Sequence, residues 1–292
     1  MKTSPLRQRF IETLTLKGYS PRTIQSYVSV VAQLARHYHR SPAELSDPEV
    51  RAYLYHLHTQ TDYSGSTLNV VVNGLRCFYR EVLSRPLGRL EQALPRPKQA
   101  VRRPQAYSVE EVHRLLEHGF LCPKYRTFFM TLYGAGLRIS EACKLKVEHI
   151  DSGRMLLRVE QGKGKKDRYT ILPRHLLEEL RTYYRTYRPR YWLFPATRDE
   201  RKPLNDRTAQ KAFTQGLRRA GLPRKGGPHC LRHSFATHLI EANTPLHVVK
   251  QLLGHNSLHT TVGYLHISRQ AVAQIKSPLD GMSWAPATAP AL

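Results

Sequence analysis

Apolar positions along the first 95 residues recur at the 3.6-residue period of α-helices. After Ser20-Pro21, a capping side chain followed by proline at the first helical position, Ile24, Tyr27, Val31, Leu34 and Ala35 share a face, with basic and polar residues between them. The pattern predicts a helix over 20–38. Ser46-Asp47-Pro48-Glu49 opens another, with Val50, Tyr53, Leu54 and Leu57 on one stripe, and 64–83 reads as the next. Four or five helices are expected here. Between Leu94 and Ala106 the period stops: Pro95, Pro97 and Pro104 punctuate a stretch rich in Lys and Arg, which reads as an extended linker or as a plain solvated spacer.

Helical periodicity resumes at Ser108-Val109-Glu110-Glu111, a capping-box pattern ahead of Val112, Leu115 and Leu116. Pro123 begins a helix that ends at Gly134-Ala135-Gly136. Two short runs, 154–160 and 168–172, flank Gly162-Lys163-Gly164 and predict an antiparallel hairpin. From Arg174 the chain is expected to be helical nearly to Gln274. One helix carries His229 and Arg232 on one face and Leu231, Phe235 and Leu239 on another, with Ala236 leaving space beside the cations. Thr244-Pro245 starts a helix that Gly254 ends, which puts His255 at a turn, and Ser257 caps a last helix from which Tyr264 projects off the apolar stripe. Residues 276–292, low in complexity at their end, are expected to form a flexible tail.

Charge changes the picture from a fold to a partner. Forty-six Lys and Arg against 22 Asp and Glu give a formal charge of +24 over 292 residues, far more than solubility requires, and a polyanion is implied, nucleic acid first. An apolar run of transmembrane length, a signal-peptide pattern and a lipidation motif are all missing from the sequence, so a soluble, cytoplasmic protein is expected. Cys77, Cys122, Cys143 and Cys230 are scattered without a Cys-x-x-Cys pair and read as packed free thiols.

The chemistry-bearing residues are cationic. Arg138 follows a glycine break and precedes a helical run through Glu141, where free N–H groups and a planar guanidinium suit an anion; pairing with Glu141 alone is the plainer alternative. Lys163 sits between glycines, and no Walker A pattern is present. His229, Arg232, His255 and Tyr264 complete the set. Two arginines, a lysine, two histidines and a tyrosine without a carboxylate cluster point to metal-free phosphoryl transfer to tyrosine, with no cofactor.

In this order the motifs resemble the tyrosine recombinase family, the λ-integrase-like phage integrases, and among them the compact two-domain Xer-like members. The resemblance runs from Gly18-Tyr19-Ser20-Pro21-Arg22-Thr23-Ile24 through Gly136-Leu137-Arg138-Ile139-Ser140-Glu141, Gly162-Lys163-Gly164-Lys165-Lys166-Asp167-Arg168, His229-Cys230-Leu231-Arg232-His233 and Leu253-Gly254-His255 to Thr261-Val262-Gly263-Tyr264, with Cys230 where small or polar residues are usual. It implies a mainly α fold: a helical, SAM-like core-binding domain (1–95), a basic linker (96–105) and a mostly α catalytic domain with a small antiparallel sheet (106–275). It further implies attack by Tyr264 on a DNA phosphate to give a 3′-phosphotyrosyl link, charge stabilisation by Arg138 and Arg232, leaving-group protonation by Lys163, proton transfer at His229 and a hydrogen bond from His255. Glu141 would orient Arg138 or a neighbouring histidine. The implied partners are a double-stranded DNA recombination site within a prokaryotic nucleoid and a homo-tetramer on paired sites, with or without a partner recombinase, and no membrane. A type IB topoisomerase and a catalytically idle DNA-binding protein are the alternatives. A metal-dependent nuclease, prompted by 15 histidines, lacks the accompanying carboxylates.

Overall fold

The computed structural model describes residues 4–85, 105–160 and 167–254. Two compact units divide the chain, Met1–Arg102 and Arg103–Leu292. Among the described residues of the first, four α-helices pack together: α1 (Pro5–Leu16), α2 (Pro21–Tyr38), α3 (Asp47–Gln60) and α4 (Gly65–Glu81). Each begins at a serine, Ser4, Ser20, Ser46 or Ser64, whose hydroxyl accepts a backbone N–H of the first turn, and Ser46 with Glu49 forms a full capping box. Such caps each stabilise a helix by about 1 kcal/mol. The apolar faces meet in one core around Phe10, Leu14, Leu34, Val50, Tyr53, Leu75 and Phe78, with the Phe10 and Phe78 rings edge to face at 5.3 Å.

In the second unit α5 (Val109–His118) starts at the predicted Ser108–Glu111 capping box, and α6 (Pro123–Gly134) ends in the glycine turn that leads to the five-residue α7 (Ile139–Cys143). A three-stranded antiparallel sheet follows in the order β1 (Ile150–Asp151), β2 (Leu156–Val159), β3 (Arg168–Ile171); Leu157 pairs with Thr170 and Val159 with Arg168. The expected hairpin is therefore β2–β3. The sequence reading lacked β1, which is two residues long and exists through its pairing to Leu156 and Leu157.

Helices α8 (Arg174–Tyr187), α9 (Asp206–Arg219), α10 (His229–Glu241) and α11 (Leu246–Leu253) complete the described part. The expectation of nearly continuous helix from Arg174 is corrected between α8 and α9. There Arg188 turns left-handed at φ 44°, and the chain runs without helix through bridges of Lys146 to Trp192 and Pro195 to Pro203 before Asn205 caps α9. Pro189, Pro195 and Pro203 lack the N–H a helix needs. Phe128, Phe129, Leu132, Leu157, Phe194, Phe213 and Leu231 centre the core. Cys77, Cys143 and Cys230 are buried thiols, whereas Cys122 is exposed. The linker, Lys163, His255, Tyr264 and the tail lie outside the described residues.

Candidate active site

Glu141 is the organising group of the site. Its side chain is only 6% exposed, and three arginines from three elements surround it. Arg138, just before α7, donates its backbone N–H to Oε2 (2.8 Å) and its Nη1 to Oε1 (2.6 Å). Arg168 of β3 grips both carboxylate oxygens, each at 2.8 Å, and Arg232 of α10 brings Nη1 to 3.7 Å from Oε2. Burial opposes the charged carboxylate, but Arg168 and then Arg138 outweigh it and hold Glu141 at about 2. Three guanidiniums against one carboxylate leave a net surplus of about two positive charges, which suits a second anion.

Backbone geometry brings these residues together. Gly136, at φ +62°, turns the chain after α6, and a Cβ there would stand 2.4 Å from the Phe235 ring. Its carbonyl accepts Arg232 Nη1 at 2.7 Å, so the glycine turn and α10 are fastened through a catalytic candidate. Thr170 Oγ1 donates to the Ala135 carbonyl at 2.9 Å, which pins β3 to the same turn. At the carboxyl end of α11, Arg232 Nη2 donates to the Leu253 carbonyl and Arg168 Nε to Leu252 at 3.0 Å. Cations at the last carbonyls of a helix also complement its dipole.

His229 and Arg232 lie one turn apart at the start of α10, the histidine exposed and the arginine buried. Desolvation at this position, followed by repulsion from Arg232 and Arg138, pushes the His229 imidazole below its ordinary value, so it is neutral near pH 7. Leu231 anchors the helix in the main core, while Phe235 joins a smaller cluster with Ala236, Val249 and Leu253, against which Leu239 packs. The pairing of Arg138 with Glu141 that the sequence allowed is present, and it occupies the Arg138 backbone N–H as well as Nη1.

Arg138 and Arg232 thus converge on one carboxylate, and His229, one turn from Arg232, lies within reach of its charge. Arg168 was present in the sequence motif without a role; its signal was an arginine at the start of the second hairpin strand, but its partner is 27 residues away. Glu148, His149 and Glu160 place potential ligand atoms within 4.8 Å of one another. They do not fit a metal. Lys146 Nζ already lies 3.2 Å from Glu148 and 2.9 Å from Glu160, and His149 Nδ1 accepts the Lys146 N–H at 3.2 Å, which keeps the ring proton on the Nε2 that would have to face the ion.

Comparison with known proteins places this arrangement in a lineage. Residues 108–271 match the Phage integrase family, and residues 6–89 match the Phage integrase, N-terminal SAM-like domain. A protein of Sinorhizobium fredii named "Putative integrase/recombinase y4qK" is 40% identical over 278 residues, 95% of this chain and 89% of its own. Tyrosine recombinase XerA of Thermococcus kodakarensis is 36% identical over 89% of this chain and 90% of its own. The crystal structure of a lambda integrase dimer bound to a COC′ core site is 20% identical, covers 95% of this chain and 98% of that one, and superposes with a TM-score of 0.73, a likeness of fold. The chain belongs to the phage integrase family of tyrosine recombinases.

Proposed function

We propose that this protein is a site-specific recombinase that cuts and rejoins double-stranded DNA through a 3′-phosphotyrosyl intermediate on Tyr264. The observation that carries the proposal is the convergence of Arg138 and Arg232 on Glu141, with His229 one turn from Arg232. A phosphate undergoing transfer spreads negative charge over its nonbridging oxygens, and two preorganised guanidiniums in a largely desolvated site stabilise that charge without reorganising. The Tyr264 oxygen forms the new P–O bond as the bond to the 5′-oxygen breaks. Lys163 supplies the proton to that oxygen, His229 takes part in proton transfer with the nucleophile, and His255 donates a hydrogen bond to the phosphate. The phosphodiester energy is stored in the tyrosyl link, so religation to another strand needs no nucleotide.

The formal charge of +24 supports many phosphate contacts, divided between a core-binding domain and a catalytic domain joined by the basic linker. Assembly as a homo-tetramer on paired sites, with or without a second recombinase, belongs to the same proposal. No helix among the described residues is long and apolar enough to cross a membrane. The test is cleavage of a nicked suicide duplex carrying a sequence that the purified protein protects from nuclease. An adduct that survives denaturation and forms in excess EDTA without nucleotide is expected. Cleavage abolished by EDTA and restored by a divalent ion would overturn the metal-free reading.

A further inference from the structure

We infer that Arg168 is a positioning residue for the proposed strand transfer: by gripping both oxygens of Glu141 and the last turn of α11, it lets the buried carboxylate hold Arg138 in its phosphate-binding orientation. The inference rests on that proposed reaction and adds a part to it. Arg168 is 11% exposed and turns one N–H from each of its three nitrogens inward, onto Glu141 Oε1, Glu141 Oε2 and the Leu252 carbonyl. Every nitrogen of its fork is thus tied to the protein, and the side chain is less open to a substrate than Arg138, which is 20% exposed. Its placement is tight. A Cβ on Gly254 would come within 2.7 Å of Arg168 Cδ, so the chain leaving α11 passes directly against this side chain. Arg168 thus joins β3, five residues beyond Lys163, to the carboxylate behind Arg138 and to the helix end that precedes His255.

Without Arg168, Glu141 would keep Arg138 on its own element and Arg232 on α10, with His229 nearby on α10 and Asp206 of α9 beyond it; α11 faces it with backbone carbonyls. Burial would then favour a neutral carboxyl, because the largest opposing influence has gone. A protonated Glu141 no longer accepts both Arg138 donors, and Arg138 is released. Activity that depends on ionised Glu141 is present above its folded value and lost as pH falls through it. In the intact protein that value is about 2, outside the working range; in Arg168→Met it moves up into it.

The experiment measures the rate of adduct formation on the suicide duplex from pH 5 to 9 for the intact protein, Arg168→Met, Arg168→Lys, Glu141→Gln and Arg168→Met with Glu141→Gln. Expected is an acid limb displaced to higher pH in Arg168→Met, its rate relative to the intact protein falling by roughly tenfold for each pH unit below the new value. Arg168→Lys should lie between, since one ammonium cannot span both oxygens, and it tests the role should the methionine variant not fold. In the Glu141→Gln background Arg168→Met should leave the profile unmoved. An equal loss at every pH, or a limb that still moves when Glu141 is Gln, overturns the role of Arg168. No adduct in the intact protein would instead defeat the proposed reaction, and this inference with it.

Discussion

Replacing Glu141 with Gln should unbalance the site at its centre. The substitution keeps shape and one acceptor oxygen but leaves three largely buried guanidiniums without their counter-charge. Moving a carboxyl from its ordinary 4.5 to about 2 on folding corresponds to roughly 3 kcal/mol of stability near neutral pH. Removal of one partner from a buried ion pair costs about 3–5 kcal/mol, which agrees. For a unit of this size the loss should lower the melting temperature by roughly 6–12 °C. Calorimetry at pH 7 measures it directly. Because the folded value is depressed, the stabilisation is complete above pH 4.5 and is lost as pH falls toward 2, so the gap between the two proteins should narrow only below pH 4.5. Inorganic phosphate should stabilise the variant more than the intact protein, since it supplies the missing negative charge. A melting temperature within about 2 °C of the intact protein at pH 7, or a gap that stays constant down to pH 3, would refute the electrostatic account of Glu141.

Gly136→Ala should destabilise by roughly 2–5 kcal/mol, from the left-handed backbone and from overlap with the Phe235 ring, and should slow cleavage as well because the Gly136 carbonyl holds Arg232; a melting curve and a cleavage rate both unchanged would contradict this. His229 is held below its ordinary value, so the cleavage rate of the intact protein should stay level through pH 7 and fall as the imidazole protonates below pH 6.5. His229→Gln should lower the plateau and remove that limb, as rate–pH profiles will show.

Much of this fold was legible because its local signals agree with its packing. The Ser20-Pro21, Ser46 to Glu49 and Ser108 to Glu111 caps start helices within a residue of where the apolar stripes require them. Gly254 ends α11 in the left-handed conformation its residue type predicted. What escaped was non-local. Strand β1 has two residues, too few for alternation to register, and the segment between α8 and α9 is held by single bridges to distant residues, although its prolines were visible. The site shows the same division. Arg138 and Glu141 pair across three residues, whereas the Arg168 grip on Glu141 spans 27 and the Arg232 bond to Gly136 spans 96. Such contacts are set by how β3, α10 and the glycine turn pack, which no window of sequence contains.

Covalent capture by Tyr264 is tested most directly by digesting the protein–DNA adduct from a suicide duplex and sequencing the nucleotide-bearing peptide by mass spectrometry, with Tyr264→Phe in parallel. One modified peptide is predicted, with the 3′-phosphate on Tyr264 and a free 5′-hydroxyl on the released strand, while Tyr264→Phe binds the duplex and yields no adduct. An adduct on another residue, a link through a 5′-phosphate, or an adduct that persists in Tyr264→Phe would contradict it.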